Sequence, residues 1–157
     1  MKNLLLLPLL FLVSCAATPS QEPFKAGDKF VVTGKTKEGQ AYAQTFTLRG
    51  KGEYDDGDWD YDADGNDAYS ALVSTTKEQD YLYIRDEYEP AAGQKDGRVV
   101  MCFASPSGPG WKSADGNLLS TTTAELTTLA NSLKGLSNSA AYRALLRASG
   151  DCSVTRQ

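Results

Sequence analysis

The chemistry open to this chain is bounded first by its acids. Glu53 to Asp67 holds eight carboxylates and no basic residue in fifteen positions. Such a density repels itself unless water or a cation neutralises it. Within the run, Asp60, Asp62 and Asp64 alternate, Gly65 follows, and Asp67 offers a further oxygen donor. Alternate carboxylates can converge on one hard cation, calcium in particular, with Gly permitting a sharp turn. The plainer reading is an acidic hairpin, with Asp-Gly-Asn-Asp as turn and the even-numbered Asp residues facing water. No histidine occurs anywhere. That removes Ser-His-Asp and Cys-His catalysis, His-ligated zinc and any imidazole base. No Walker loop or dinucleotide fingerprint is present. Arg49-Gly50-Lys51-Gly52 reads as a basic hairpin turn. With acids this plentiful, a small carboxylate-dependent hydrolase stays on the page as an alternative, although no constellation of catalytic roles can be assembled.

Asp60-x-Asp62-x-Asp64-Gly65 resembles the opening of an EF-hand calcium loop. Counted from Asp60, the position where that family places its bidentate Glu is Ala71. The flanks read as strands rather than helices. A full EF-hand is therefore rejected. What remains is a weaker calcium site in the hairpin 53–67, and with it an alternative function as a calcium-stabilised envelope module.

Aromatic residues supply the other candidate surface. Tyr81, Tyr83 and Arg85 share a parity opposite Leu82 and Ile84. If the aliphatic pair faces a core, the other three make an aromatic–basic stripe outside it. Tyrosine gives contact area at low entropic cost, which suits binding surfaces. Trp111 lies in the Gly/Pro-rich run Ser-Gly-Pro-Gly-Trp-Lys-Ser. An indole there is either a plug that tucks the loop down or an exposed contact.

The first residues bear on location. Met1, Lys2 and Asn3 are followed by an apolar run, Leu4 to Val13, and then by the small residues Ser14, Cys15, Ala16 and Ala17. This is the build of a secretory signal peptide, and the run is too short for a spanning helix. Leu12-Val13-Ser14-Cys15 resembles the lipobox of bacterial lipoproteins. The resemblance implies cleavage after residue 14, acylation (palmitate among the chains) of the Cys15 thiol, and a place in the bacterial cell envelope outside the cytoplasmic membrane. Ala16 stands where that family often carries an Asp to keep proteins in the inner membrane. The resemblance therefore favours the outer membrane, if the cell has one. Ordinary secretion with cleavage after Ala16 or Ala17 is the competing reading. With Cys15 lipidated, Cys102 and Cys152 are left, and an oxidising compartment permits their disulfide. That bond would stabilise the fold by roughly 4 kcal/mol. Two separate buried thiols are the alternative. Residues 15–23 read as the lipidated cysteine and a tether, whose last eight residues reach at most about 28 Å.

From Phe24 to Gln157 the length suits one domain. From Cys15 onward there are 15 basic and 20 acidic side chains. A net acidic chain disfavours nucleic acid and broad adhesion to anionic lipid. The expected function is a non-enzymatic domain that binds an envelope protein or a small ligand.

The elements that must position these residues are mostly strands. Alternation and β-branched content predict strands over 29–35, 41–48, 54–62, 68–76, 81–85 and 98–104. Short turns between them predict antiparallel neighbours, hence a meander of about six strands, curved or partly barrel-like. Thr122 and Glu125 then form a capping box for a helix with Leu126, Leu129 and Leu133 on one face, ended by Gly135. A second helix from Asn138 or Ser139 to Gly150 is expected to carry Tyr142, Leu145 and Leu146 inward. The fold class is α+β, with two C-terminal helices packed on the sheet.

Overall fold

Strands whose apolar residues fall on one parity can close a barrel only if every strand turns that parity inward. This chain does so. The computed structural model describes residues 22–50, 52–55, 58–65, 68 and 70–157. The expected signal segment 1–14, Cys15, the expected tether up to residue 21 and the candidate ligand Asp67 lie outside the described residues. The strands are β1 (Lys29–Lys35), β2 (Ala41–Leu48), β3 (Glu53–Asp55), β4 (Asp58–Asp64), β5 (Ser70–Thr76), β6 (Leu82–Tyr88), β7 (Arg98–Ala104), β8 (Ser113–Thr122) and β9 (Gly150–Arg156). Neighbours run β2-β1-β9-β8-β7-β6-β5-β4-β3, all antiparallel, and β2 also pairs with β4. That last pairing, through Thr47↔Asp64 and Leu48↔Ala63, closes the ring.

The α+β meander expected from the sequence is present, but the barrel has eight strands rather than about six. β8 and β9 supply the two extra barrel strands, and two further differences stand beside them. The single strand expected over 54–62 is a hairpin, with Tyr54 opposite Trp59 and Asp55 opposite Asp58. β8 and β9 were both unexpected. The two helices, α1 (Thr123–Leu133) and α2 (Asn138–Ala148), are not terminal; they form an excursion between β8 and β9. The last strand returns to pair with both β8 and β1.

The interior is packed. Phe30, Val32, Phe46, Leu48, Trp59, Tyr61, Val73, Leu82, Ile84, Val100, Leu118 and Val154 belong to one cluster of buried side chains. The disulfide expected between Cys102 and Cys152 lies in the same cluster, with Cα atoms 6.2 Å apart. It ties β7 to β9 across β8, where Cys102 faces Leu118 and Cys152 faces Gly116. A Cβ at Gly116 would collide with the Phe103 carbonyl oxygen, so glycine is what lets β7 and β8 approach there.

One barrel end is plugged. Phe24 sits 4.9 Å from Phe30 and 5.6 Å from Tyr61, centroid to centroid. Arg156 stacks over the Phe24 ring at 4.8 Å and pairs with Asp28 at 2.9 Å. Trp111 takes the first of its two alternatives. It is 5% exposed and stacks on Phe30, as the plug that tucks its loop down. It thereby leaves the set of candidate contacts.

Outside the barrel, Val99, Met101 and Leu119 form a second apolar cluster, covered by Leu126, Leu129, Leu145 and Ala148 of the helices. The capping box of α1 forms as expected. The Glu125 N–H donates to Thr122 Oγ1 at 3.2 Å, and the Thr122 N–H donates to Glu125 Oε2 at 3.1 Å. The Thr122 backbone bond, with help from the Thr121 hydroxyl, holds the Glu125 carboxyl below the usual range.

Candidate functional site

Three places bring polar or aromatic groups together. The first is a cleft of about 640 Å³ between α2 and the outer wall of the barrel. Tyr81, Phe103, Tyr142, Leu145 and Leu146 give it an apolar lining, and Ser105, Asp115, Asn117 and Ser149 add polar groups. It exists because α2 is seated at one edge only. Leu145 and Ala148 reach the second apolar cluster, whereas Tyr142 is 57% exposed and Leu146 36%. This corrects the expectation that Tyr142 and Leu146 point inward with Leu145. On a helix, Tyr142 and Leu146 are stacked one turn apart and lie to the side of the Leu145–Ala148 edge. They flank the seam rather than fill it. Burial pushes the Tyr81 phenol up, reinforced by neighbouring Tyr83, Asp58 and Asp60.

The second place is inside the barrel, at the end opposite the plug. Asp86 is wholly buried on β6. Its Oδ2 accepts from the Tyr42 hydroxyl at 2.8 Å, from the Gln44 amide at 3.3 Å and from the Tyr88 hydroxyl. Its Oδ1 is buried without a hydrogen-bond partner. Burial, then the Asp86 charge, pushes the Tyr42 phenol far up, and the same neighbourhood raises Tyr88 to about 12. Arg98 lies over the Tyr88 ring at 5.5 Å. A carboxylate-pair hydrolase needs two carboxyl groups flanking a substrate. Asp86 is instead surrounded by two phenols and an amide, and enclosed.

The third place is the acidic strand. Asp60, Asp62 and Asp64 alternate along the outer face of β4, while Trp59, Tyr61 and Ala63 point inward, as the alternation predicts. Successive outward residues on a strand are about 7 Å apart, whereas calcium ligands sit within about 2.6 Å of the ion. The strand therefore does not bring these three carboxylates to one point. Arg49 lies 3.8 Å from Asp62 and 3.5 Å from Asp64. Among the described residues, no group of three or more acidic, Cys or His side chains converges as a metal site would.

The stripe expected from Tyr81, Tyr83 and Arg85 does face outward, because Leu82 and Ile84 are buried. Its members part company there. Tyr81 lines the cleft. Tyr83 stacks on Phe103 at 5.2 Å beneath the helical cover. Arg85 pairs with Glu87. Phe103 and Asn117 were missed. Phe103 has the opposite parity to Cys102, which places it outside, and that signal was legible. Asn117 lies on β8, a strand that the alternation of the sequence does not announce. Comparison with protein-family models, curated proteins and solved structures returned no match.

Proposed function

We propose that this protein is a lipid-anchored lipoprotein of the cell envelope whose barrel is a non-enzymatic scaffold. Its binding surface is the cleft between α2 and the outer wall of β6 to β8, and its ligand is an apolar or amphipathic molecule or segment. The observation that carries the reading is the open, largely apolar cleft beside an interior already filled by side chains. Ligand sites are concave, mainly apolar, and supplied with a few placed polar groups. Asp115, Asn117, Ser105 and Ser149 fit that role here. The anchor rests on the pattern of residues 1–15 alone.

The test has two arms. Intact-mass spectrometry of the protein from its native envelope is expected to give a chain beginning at Cys15 and carrying acyl mass. A first residue of Ala16 or Ala17 without fatty acid overturns the anchor. Titration with an environment-sensitive apolar fluorophore is expected to saturate with the wild type. Binding should fall about tenfold in Leu146→Asp, a surface change that leaves the barrel intact. Equal binding by both proteins overturns the cleft.

A further inference from the structure

The net acidic charge is not spread evenly. No acidic residue lies between 126 and 149, a stretch that holds Lys134, Arg143 and Arg147. The rest of the chain from Cys15 onward carries 12 basic and 20 acidic side chains. Around the ring, β4 with its aspartates stands diametrically opposite β8, the strand under the helices. The molecule thus has an acidic wall opposite a helical lobe in which three cations, Lys134, Arg143 and Arg147, outnumber one acid, Glu125.

The same lobe carries the exposed large apolar side chains of the described residues: Leu136, Tyr142 and Leu146. Arg143 and Arg147 are exposed and lie one position beyond Tyr142 and Leu146, so each turn of α2 pairs an apolar flank with a cation. A helix with Tyr and Leu beside Arg is built for a membrane interface, where the aromatic and aliphatic groups sink and the guanidinium groups meet phosphate.

Chain geometry brings the start of the domain and part of the cleft to one barrel end. Phe24, the first residue of the domain, plugs the barrel end at which β9 finishes and β8 begins, beside Arg156 and Trp111. Part of the cleft's lining lies at that end too. Tyr81 precedes Leu82, which pairs with Ala104, and the Ser105 N–H donates to the Asp115 carbonyl at 3.3 Å. Phe24 and that part of the cleft therefore lie at one end of the barrel. If Cys15 is the anchor, the tether holds that end within about 28 Å of the bilayer.

From these observations we infer that α2 and the mouth of its cleft dock on the surface of an anionic bilayer. The cleft's natural occupant is then a membrane lipid, its chain against Tyr81, Phe103 and Leu146 and its phosphate near Arg143 and Arg147. This deepens the cleft reading and rests on it for the point that the cleft is open to a ligand. A weak surface contact is enough, because the tether turns a second binding event into an intramolecular one.

Hydrogen exchange read by mass spectrometry tests this on the mature protein as the cell processes it. The protein is bound to vesicles of phosphatidylcholine alone, or with about 30% phosphatidylglycerol. Amides of 138–148 are expected to exchange about fivefold more slowly on the anionic vesicles, and Arg143→Glu with Arg147→Glu should abolish the difference. Equal exchange on both vesicles overturns the inference. So does protection that follows protein concentration instead of lipid charge, which would give the face to a second copy of the chain. Fluorophore binding that persists alongside equal exchange would sink the membrane contact and leave the cleft standing. Loss of both sinks the two together.

Discussion

Asp86 is the residue at which the packing of this barrel is most exposed to test. A carboxylate removed from water is tolerable only if donors satisfy it, and here three donors meet one oxygen. Asp86→Ala would leave two phenols and an amide without an acceptor in a dry interior. It is expected to lower stability by about 2–4 kcal/mol, read from urea midpoints. Asp86→Asn keeps an acceptor oxygen and should recover part of the loss; equal stability of Asp86→Ala and wild type would refute the account. Titration gives an independent check. Folding raises the phenol of Tyr88 from 10.0 to about 12 and that of Tyr42 further. The folded state thus keeps these protons at a pH where the unfolded chain has lost them. Their contribution is fully present below about pH 10 and drains away as pH climbs through the folded values. The urea midpoint should accordingly hold steady up to pH 10 and fall beyond it, and Tyr42→Phe should flatten that fall. Nothing in the sequence marked Asp86 for this role. It sits between Arg85 and Glu87 like a surface acid, and only the inward parity of Leu82 and Ile84, carried on by two residues, puts it inside.

Among elements, the parts that were legible are those rich in β-branched, aromatic or aliphatic residues between clear turn signals. β1, β2 and β7 begin and end where their composition says, and the capping box of α1 forms at the expected residues. β3 and β4 were fused because both are acidic. The Asp56-Gly57 pair between them is a strong two-residue hairpin signal that the reading passed over. β8 was missed for a different reason. Gly116 and Asn117 interrupt its middle, while Leu118 faces the interior and Leu119 the helices, so apolar residues fall on both parities. β9 was not expected, since closure by the last strand is a long-range event that no local pattern announces. The disulfide was legible once Cys15 was set aside for lipid and an oxidising compartment assumed, and its placement on β7 and β9 shows what it does. It fastens the last strand to the meander across one neighbour. Replacing Cys102 and Cys152 together with Ala is expected to cost roughly 4 kcal/mol, measured by urea denaturation with and without reductant. A loss under about 1 kcal/mol would mean that β9 needs no staple. For β4, melting temperatures in millimolar calcium and in excess chelator are expected to agree within about 1 °C, given the spacing of its aspartates and the presence of Arg49. A rise of several degrees with calcium would restore the calcium-stabilised module.

At the scale of the whole molecule, a closed barrel and a loosely seated helical lobe divide the chain into parts of unequal stability. Each of the eight barrel strands has hydrogen-bonded neighbours on both sides, β3 being paired with β4 alone, and the interior cluster spans all eight. The helices have no buried residue of their own, and only a few side chains hold them to the wall. An isolated helix of this length is marginal in water, so the second cluster must supply what little holds α1 and α2 in place. The cleft exists for the same reason, and it was not legible in advance. Its residues come from positions 81, 103 to 105, 115 to 117 and 142 to 149, brought together only by closure and by the return of α2. Local opening therefore ought to be graded. Amides of 124–148 are expected to exchange at least about a hundredfold faster than those of β7, β8 and β9 in the free protein, because the lobe can lift without breaking the ring. Met101→Ala, which thins the wall under the lobe, should speed exchange in both helices while leaving the slowest barrel amides nearly unchanged. If helices and strands instead exchanged at one common rate, lobe and barrel would be a single cooperative unit. A ligand at α2 would then have to stabilise the whole fold rather than the lobe alone.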